Sequence, residues 1–291
     1  MNALRITLCS LLLLISTAPL MAQGTYTQID VPNGINGTFV QGTDSIGDLV
    51  GSYIDVDFNT HGFLFSGGVY TTIDYPGATY TLLTAINDVG QIVGVTNLNP
   101  PGAFLYDVAT HTFTPIAYPR ATSTSPYGIN NSGTIVGYYS YGNGGATSGF
   151  ELIGSQYYSV KPSNVANSSV YGISNSGEVV GGVPSRNQAM LNFLFKHGHY
   201  YPIAIPSAPA DTAYGINPEG TALVGAYAPS SGLVAGFLYQ NKVLQTLQFP
   251  GANATFAYGV NSSGEVVGTF YPTIGGVHGF TWTPSADAPK P

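Results

Sequence analysis

Charged residues are scarce in this chain of 291 residues. Asp, Glu, Lys and Arg together make up 7%, against about a quarter in an average soluble domain. The 7 Lys and Arg are outnumbered by 14 Asp and Glu, which gives a net charge of −7. So few cations cannot neutralise a row of phosphates, and the composition therefore argues against nucleic acid and anionic membrane surfaces as partners.

Cysteine is limited to Cys9, which lies in an N-terminal segment typical of a secretory signal peptide. Arg5 precedes an apolar run from Ile6 to Ile15, and small residues follow. We expect residues 1–22 to be a signal peptide and the exported chain to begin at Gln23. Without cysteine, that chain can form neither a disulfide framework nor a cysteine-based zinc site. The apolar run is shorter than the about 20 residues of a membrane span, and we expect none.

Residues that favour strands and turns are abundant. The chain has 38 Gly, 20 Pro, 21 Tyr and 14 Phe, a composition typical of many short strands joined by tight turns. Hydrophobic residues make up 44% of the chain, which is enough for a buried core and excludes an intrinsically disordered protein.

One pattern occurs six times at intervals of 43 or 44 residues. A clear copy is Tyr-Gly-Ile-Asn-Asn-Ser-Gly-Thr-Ile-Val-Gly at 127–137; each copy is followed, after a variable loop, by an element such as Gly-Phe-Leu-Tyr at 236–239. A further strand-like run then ends in proline in most repeats. Each unit therefore contains four strands, and such repeats of about 40 to 50 residues are typical of propeller blades. The final glycines of the pattern are Gly51, Gly94, Gly137, Gly181, Gly225 and Gly268.

The two ends of the chain predict how the repeats close into a ring. Residues 26–32 (YTQIDVP) match 70–76 (YTTIDYP), the fourth strand of the first repeat, whereas the last repeat has only three strands. The N-terminal strand should therefore complete the last blade, built from residues 255–282. The prediction is an all-β, six-bladed β-propeller with four antiparallel strands per blade at 23–284, and a tail at 285–291. An open solenoid is the alternative, but it would need polar capping repeats.

The repeat also resembles a known family. Gly-Ile-Asn-Asn-Ser-Gly-Thr-Ile-Val-Gly at 128–137, followed by His-Gly-Phe (61–63 and 278–280) or by Gly-Phe-Leu-Tyr (236–239), is similar to the HAF-family extracellular repeat of bacteria. The resemblance covers residues 39–282. The histidine is present in two of six copies, which argues against a metal-binding or catalytic role for it. The resemblance implies secretion and a repeat architecture, and it implies no activity.

Known catalytic motifs are missing from the sequence. It has no Gly-x-Ser-x-Gly elbow, no phosphate-binding glycine loop and no His-Glu-x-x-His. Most acids stand at turns or strand ends, so the sequence predicts no catalytic residue. Aromatic residues that recur from blade to blade are interpreted as structural, because the common fold explains them. These are Tyr127, Tyr171, Tyr214 and Tyr258, and, as core between blades, Phe63, Phe104, Phe150, Phe193, Phe237 and Phe280.

One loop concentrates oxygen-bearing side chains. Asp55, Asp57 and Asn59 alternate along it, a spacing that suits calcium. However, Thr60 stands where an EF-type loop requires glycine, Ser66 stands where it requires an acid, and no other repeat copies the acids. We therefore expect a solvated loop, no metal and no cofactor.

The variable loops are predicted to lie on one face of the propeller, because the connection after the second strand and the connection to the next blade emerge on the same side. We call this the variable-loop face; it comprises 54–60, 96–101, 140–147, 183–190, 226–234 and 270–277. Rigid scaffolds with variable loops commonly carry binding sites there.

The leading hypothesis is a secreted, monomeric, non-catalytic scaffold that binds an extracellular glycan or protein through this face. Its expected contacts are Asp55, Asp57, Tyr141, Arg186 and Tyr271. The alternative is a secreted hydrolase that acts on a polysaccharide with a pair of carboxylates on the same face or in the central channel.

Overall fold

A computed structural model describes residues 24–98, 102–142, 145–184, 190–205, 211–229 and 232–285. Regular secondary structure in these ranges consists of 24 β-strands. They form six four-stranded antiparallel sheets that follow one another around a ring. The predicted six-bladed β-propeller is therefore confirmed.

Each blade uses four consecutive strands, from the innermost outwards, except where the ring closes. The innermost strands of blades 1 to 5 are β2, β6, β10, β14 and β18, and each is followed by the next three strands of its blade. Blade 6 combines β22, β23, β24 and β1. The strands are β1 (Gly24–Ile29), β2 (Gly37–Thr43), β3 (Leu49–Ile54), β4 (Thr60–Ser66), β5 (Val69–Ile73), β6 (Thr81–Ile86), β7 (Gln91–Thr96), β8 (Ala103–Asp107), β9 (Thr112–Pro115), β10 (Ser123–Ile129), β11 (Ile135–Ser140), β12 (Thr147–Ile153), β13 (Gln156–Val160), β14 (Ser169–Ile173), β15 (Val179–Pro184), β16 (Met190–Lys196), β17 (His199–Pro202), β18 (Thr212–Ile216), β19 (Ala222–Tyr227), β20 (Ala235–Gln240), β21 (Val243–Leu247), β22 (Ala252–Val260), β23 (Val266–Pro272) and β24 (His278–Pro284).

The N-terminal strand closes the ring as the sequence predicts. Strand β1 pairs antiparallel with β24, with Thr27 opposite Thr281 and Ile29 opposite Gly279. The sheet order in blade 6 is β1-β24-β23-β22. The last blade therefore has its fourth strand, and the bare edge that β24 would otherwise present is covered.

The hydrophobic core lies between successive blades. Between blades 1 and 2, for example, Val50 and Leu64 of the first blade pack with Leu83 and Phe104 of the second. The six repeated phenylalanines of the third strands are all buried, which confirms their interpretation as core. A single blade therefore cannot bury its own apolar surface, as in other repeat proteins.

The repeated glycine of each second strand lies opposite the phenylalanine of the third strand. In blade 2, Gly94 pairs with Phe104. A Cβ added at Gly94 would lie 2.5 Å from the carbonyl oxygen of Leu82 and 2.7 Å from the Phe104 ring. Any larger residue would push either the phenylalanine or the innermost strand out of place, so glycine is required here.

The turns between the first and second strands form a ring on the face opposite the variable loops. Asn130 is typical: its Oδ1 accepts hydrogen bonds from the backbone N–H groups of Ser132 at 3.2 Å and Thr134 at 3.0 Å. Its Nδ2 donates to the backbone oxygen of Ser174 in the next blade, at 3.1 Å. Asparagine therefore caps its own turn and also joins two blades, and an aspartate can only do the first. We call the equivalent residues of the six blades the turn ring: Asp44, Asn87, Asn130, Ser174, Asn217 and Asn261.

The forward bond recurs at two further asparagines of the ring, whereas Asn217 Nδ2 donates within its own turn, to Glu219 Oε2 at 2.9 Å. Asn87 Nδ2 donates to Asn130 O at 2.9 Å, and Asn261 Nδ2 donates to Asp44 O at 2.9 Å across the ring closure. The turn glycines adopt positive φ, for example 76° at Gly90, which a glycine accommodates without strain. The sequence predicts the turn, but the bond to the next blade is a finding of the structure.

Asp44 is the member of the turn ring that keeps the cap and lacks the amide. It is 6% exposed, its Oδ1 accepts from the N–H groups of Ile46 and Asp48, and burial raises the pKa of its carboxyl, as do the nearby Asp48 and Asp88 carboxylates. A raised folded-state pKa means that the charged carboxylate costs stability once the pH exceeds its usual value of about 3.9.

Replacing Asp44 with Asn should therefore stabilise the protein by about 1 kcal/mol, since the new amide can donate to Asn87 O. The gain in stability should be larger at about pH 7 than at about pH 4. At pH 7 the Asp44 carboxylate is charged and the substitution removes a buried charge, whereas near pH 4 the carboxyl is largely protonated. Urea unfolding at both pH values measures it. Asn87→Asp is the matched control and should have the opposite sign, because it removes the bond to Asn130; the same sign for both variants would contradict the role of the turn ring.

Candidate functional site

A hollow of about 380 Å³ lies on the variable-loop face beside blade 1. Tyr53, Asp55 and His61 line it together with Ile35 and Val56. Both Ile35 and Val56 are exposed. Two of the expected contact residues, Asp55 and its neighbour Asp57, belong to the loop that borders this hollow.

Asp55 is engaged in organising its own loop. Its Oδ1 accepts hydrogen bonds from the backbone N–H groups of Asp57 at 2.9 Å and Asn59 at 2.8 Å. Its Oδ2 lies 3.0 Å from His61 Nε2. The carboxylate is therefore held in place from both sides, whereas Asp57 is exposed.

His61 lies between two carboxylates. Its Nε2 contacts Asp55 and its Nδ1 lies 2.7 Å from Asp74 Oδ2, while its ring stacks on Tyr53 at 5.0 Å between centroids. A neutral imidazole has one N–H, so only the imidazolium can donate to both carboxylates. Burial alone would lower the pKa of His61, but the bonds to Asp74 and Asp55 raise it; the same bond to His61 lowers the pKa of Asp55.

A second His–Asp pair lies at the ring closure. His278 Nδ1 is 2.7 Å from Asp30 Oδ1, and Asp30 also accepts from Gln28 Nε2 at 2.6 Å. The ring of His278 stacks on Phe270. Blades 1 and 6 thus share one arrangement: a histidine at the start of the third strand bonds an aspartate that follows the fourth.

This pairing explains why the histidine of the repeat survives in two copies. The aspartate is present in those two repeats, and in the other four both positions hold different residues. The shared occurrence was visible in the sequence, and sequence reasoning did not use it. The other repeats have Gly102, Ser148, Leu191 and Ala235 at the histidine position and Ala117, Lys161, Ala204 and Gln248 at the aspartate position.

Tyr141 and Tyr271 are presented on rigid aromatic supports. Tyr141 is 52% exposed and its ring meets the edge of Tyr139 at 5.4 Å, while Tyr139 stacks on Tyr118 of the preceding blade at 3.5 Å. Tyr271 is 39% exposed and packs edge-on against Phe256 at 5.9 Å. The fifth expected contact, Arg186, lies outside the described residues.

Most described acids of the variable-loop face have structural partners. Asp55 and Asp74 bind His61, Asp30 binds His278, and Asp211 accepts from Asn192 Nδ2 at 2.6 Å. Within the described ranges, no group of three or more His, Cys, Asp or Glu residues is arranged to hold a metal ion. The described part of the face therefore presents aromatic rings rather than a pair of free carboxylates.

A second cavity, of about 460 Å³, runs along the axis between the innermost strands. Four tyrosines from blades 3 to 6 form one wall, and Gln41 and Thr84 occupy the same position in blades 1 and 2. The ring centroids of neighbouring tyrosines are 5.9, 5.7 and 5.2 Å apart in chain order. We call this wall the tyrosine arc: Tyr127, Tyr171, Tyr214 and Tyr258.

A β-bulge directs the tyrosines towards the axis. The pairing of β10 with β11 shifts between Pro126 and Gly128, so Tyr127 is the extra residue. The following glycine instead faces the next blade; a Cβ at Gly172 would lie 3.2 Å from Gly215 Cα. The tyrosines therefore lie on the innermost strands, and crowding against the next strand selects the small residue that follows each of them.

The tyrosine arc provides neutral hydrogen-bonding groups. Burial raises the pKa of all four phenols above the ordinary value, so the hydroxyls stay protonated at neutral pH. Neither Lys, Arg nor His lines the cavity. The charged residue among its lining, Asp88, already accepts hydrogen bonds from Ser45 N and Asn131 Nδ2.

No family model and no curated protein matches the chain. Among solved structures, TolB from Acinetobacter baumannii superposes with a TM-score of 0.57 at 11% identity, covering 88% of this chain and 65% of TolB. A mutant of the Aleuria aurantia lectin in complex with Fucα1-6GlcNAc gives 0.55 at 10%, covering 88% and 95%. The SapL1 lectin in complex with α-methyl fucoside gives 0.53 at 11%, covering 87% and 96%.

These similarities define the class of the protein. The chain has the β-propeller fold that TolB and the two lectins share. At such identities the fold alone is shared, and function depends on the site. The chain spans less than two thirds of TolB. Its described part contains no helix with the length and apolar character to cross a membrane.

Replacing His61 with Gln should lower the free energy of unfolding most between about pH 4 and pH 6.5. The raised pKa of His61 means that its ion pairs are complete below the unfolded value and are lost as the pH rises through the folded value. The lowered pKa of Asp55 means that its contribution is lost only as the pH falls through its own folded value. Urea unfolding across this range measures the difference from the wild type.

The control for this variant is His199→Gln, because His199 is exposed on an outermost strand. It should leave the pH profile unchanged. If the difference in unfolding free energy between His61→Gln and the wild type did not vary with pH, His61 could not be the charged imidazolium that bonds both Asp55 and Asp74.

Proposed function

We propose that this protein is a secreted, non-catalytic propeller that binds an extracellular glycan through its variable-loop face. The observation that carries the proposal is the support of the exposed tyrosines. Tyr141 rests against the stacked pair Tyr139 and Tyr118, and Tyr271 rests against Phe256. Tyrosine offers a large, amphipathic contact area at low entropic cost, and rings held in advance lose less freedom on binding.

The charges of the molecule favour an uncharged glycan. The net charge is −7, and removal of residues 1–22 would take away Arg5 and no acid, giving −7 − 1 = −8. An anionic polysaccharide would be repelled by such a surface. The propeller lectins among the similar structures support the proposal to the extent that this scaffold accommodates sugar sites.

A polysaccharide hydrolase is less well supported by the acids of this face. A glycosidase needs two carboxylates free to face the scissile bond. Asp55 and Asp74 lie on either side of His61, which bonds both. Their geometry is explained by the imidazolium that they hold.

The proposal of secretion rests on the signal peptide that the sequence predicts at residues 1–22. The protein exported by cells that express the full chain should begin at Gln23, because the polar segment starts there. Intact-mass measurement of the exported material checks this. Material that retained residues 1–22 would overturn the secretion proposal.

Glycan binding is tested on an array of neutral and acidic glycans with the purified chain from Gln23. Tyr141→Ala and Tyr271→Ala should each weaken binding about tenfold, because each removes one stacking surface, worth about 1.4 kcal/mol. The matched controls are Tyr158→Ala and Tyr201→Ala; both tyrosines are 50% exposed, but they lie on outermost strands. Binding that fell equally in all four variants, or that favoured protein ligands over every glycan, would contradict the proposal.

A further inference from the structure

We propose that the central channel is itself a saccharide site, in which the tyrosine arc stacks on an uncharged sugar and Gln41 with Tyr258 bonds its hydroxyl groups. This inference rests on the proposed function in taking a glycan as the ligand. It places part of that ligand away from the variable loops, inside the ring of innermost strands.

A continuous series of aromatic contacts leads from the variable-loop face into the channel. It begins at the exposed Tyr271, which packs against Phe256; Phe256 in turn stacks parallel to Tyr258, with 6.2 Å between centroids. Tyr258 belongs to the tyrosine arc, and its ring centroid lies 5.2 Å from that of Tyr214. Ring contacts therefore connect the exposed Tyr271 with the tyrosine arc.

Packing alone does not account for the arc. If the tyrosines served only to fill the axis, all six blades would need them, yet blades 1 and 2 have Gln41 and Thr84 at this position. A space of about 460 Å³ also remains, within the range of about 300–1,000 Å³ of small-molecule sites. The arc therefore lines a cavity that its side chains leave open.

Hydrogen-bonding groups are available at one place on the channel wall. Tyr127 bonds Tyr138 through its hydroxyl at 3.3 Å, and Thr84 Oγ1 donates to Pro126 O at 2.9 Å. Within the described residues, no hydrogen bond is formed by the side-chain amide of Gln41 or by the hydroxyl of Tyr258. These two residues come from adjacent blades, since a Cβ on Gly259 would lie 3.3 Å from Gln41 O.

This combination selects the class of ligand. Sugar rings present an apolar face, which suits aromatic stacking, and an edge of hydroxyl groups, which suits an amide and a phenol. The cavity lining contains no cation to neutralise an acidic sugar, and its one carboxylate, Asp88, would repel it. An uncharged saccharide is therefore the ligand expected.

The test uses four neutral tetrasaccharides as probes: cellotetraose, maltotetraose, mannotetraose and chitotetraose, with tetragalacturonate as the charged control. Binding is measured by calorimetry and by NMR of protein labelled with ¹³C in the tyrosine rings, with signals assigned by Tyr→Phe variants. At least one neutral probe should shift the signals of the tyrosine arc, and tetragalacturonate should not.

Variants locate the bound sugar. Tyr214→Ala should weaken binding about tenfold, and Gln41→Leu and Tyr258→Phe should each weaken it a few-fold, since each removes one hydrogen-bonding group. Tyr158→Ala on the outer surface should leave affinity unchanged. If Tyr214→Ala fails to fold, Tyr258→Phe still tests the site, because phenylalanine keeps the aromatic ring at position 258 and removes only the hydroxyl. The NMR shifts of the tyrosine arc in the wild-type protein also test the site without any substitution.

The outcomes separate this inference from the proposed function. Binding that depends on Tyr141 but neither shifts the arc signals nor responds to Tyr214→Ala would overturn the channel site and leave the face proposal standing. Binding that depends on Tyr214 and not on Tyr141 would support the channel and overturn the face. If no neutral probe bound at about 10 mM, the channel inference would be overturned whatever the array showed.

Discussion

The close approach of each blade's second strand to its neighbours is the constraint on which this structure depends. The repeated glycine, such as Gly94, leaves room for the phenylalanine opposite it and for the carbonyl of the innermost strand. The phenylalanine then reaches the core that two blades share, where Phe104 packs with residues of blade 1. Because each core belongs to two blades, stability resides in the interfaces, and the ring must close for the last interface to form.

The same closeness explains how a cavity survives at the axis. The innermost strands meet backbone to backbone at their glycines, as Gly172 and Gly215 show. The width of the channel is therefore set by backbone contacts rather than by side chains. The residue on the bulge lines the channel, and Tyr214, Gln41 and Thr84 occupy equivalent positions there. A site can thus be altered there while the interfaces that hold the blades remain as they are.

Much of the fold could be predicted from the sequence because its determinants are local and repeated. In blade 2, the sequence predicts strands at 81–87, 91–96, 103–107 and 111–118, and the first three lie within one residue of these bounds. The predicted closure by the N-terminal strand is confirmed. The outer strand β9 is shorter than predicted, since Ile116 already packs with Ile129 of the next blade. The tyrosine lining of the channel was missed because one extra residue in a bulge reverses the face of the strand on which the next side chain lies. The second bond of Asn130 depends on a distance that no spacing reveals, whereas the bond of His61 to Asp74 could have been found from the joint occurrence of histidine and aspartate in the same repeats.

Closure by β1 has a consequence for where the chain can begin. The pair β1–β24 is an ordinary antiparallel pair, and its His278–Asp30 contact repeats the one that His61 and Asp74 make within blade 1. The seam is therefore chemically the same as an interior connection, and the ring has no built-in first residue. A circular permutant that joined the present ends and opened in a variable loop would retain every strand pair of the original. The order of the repeats around the axis, and not the position of the termini, is what the architecture encodes.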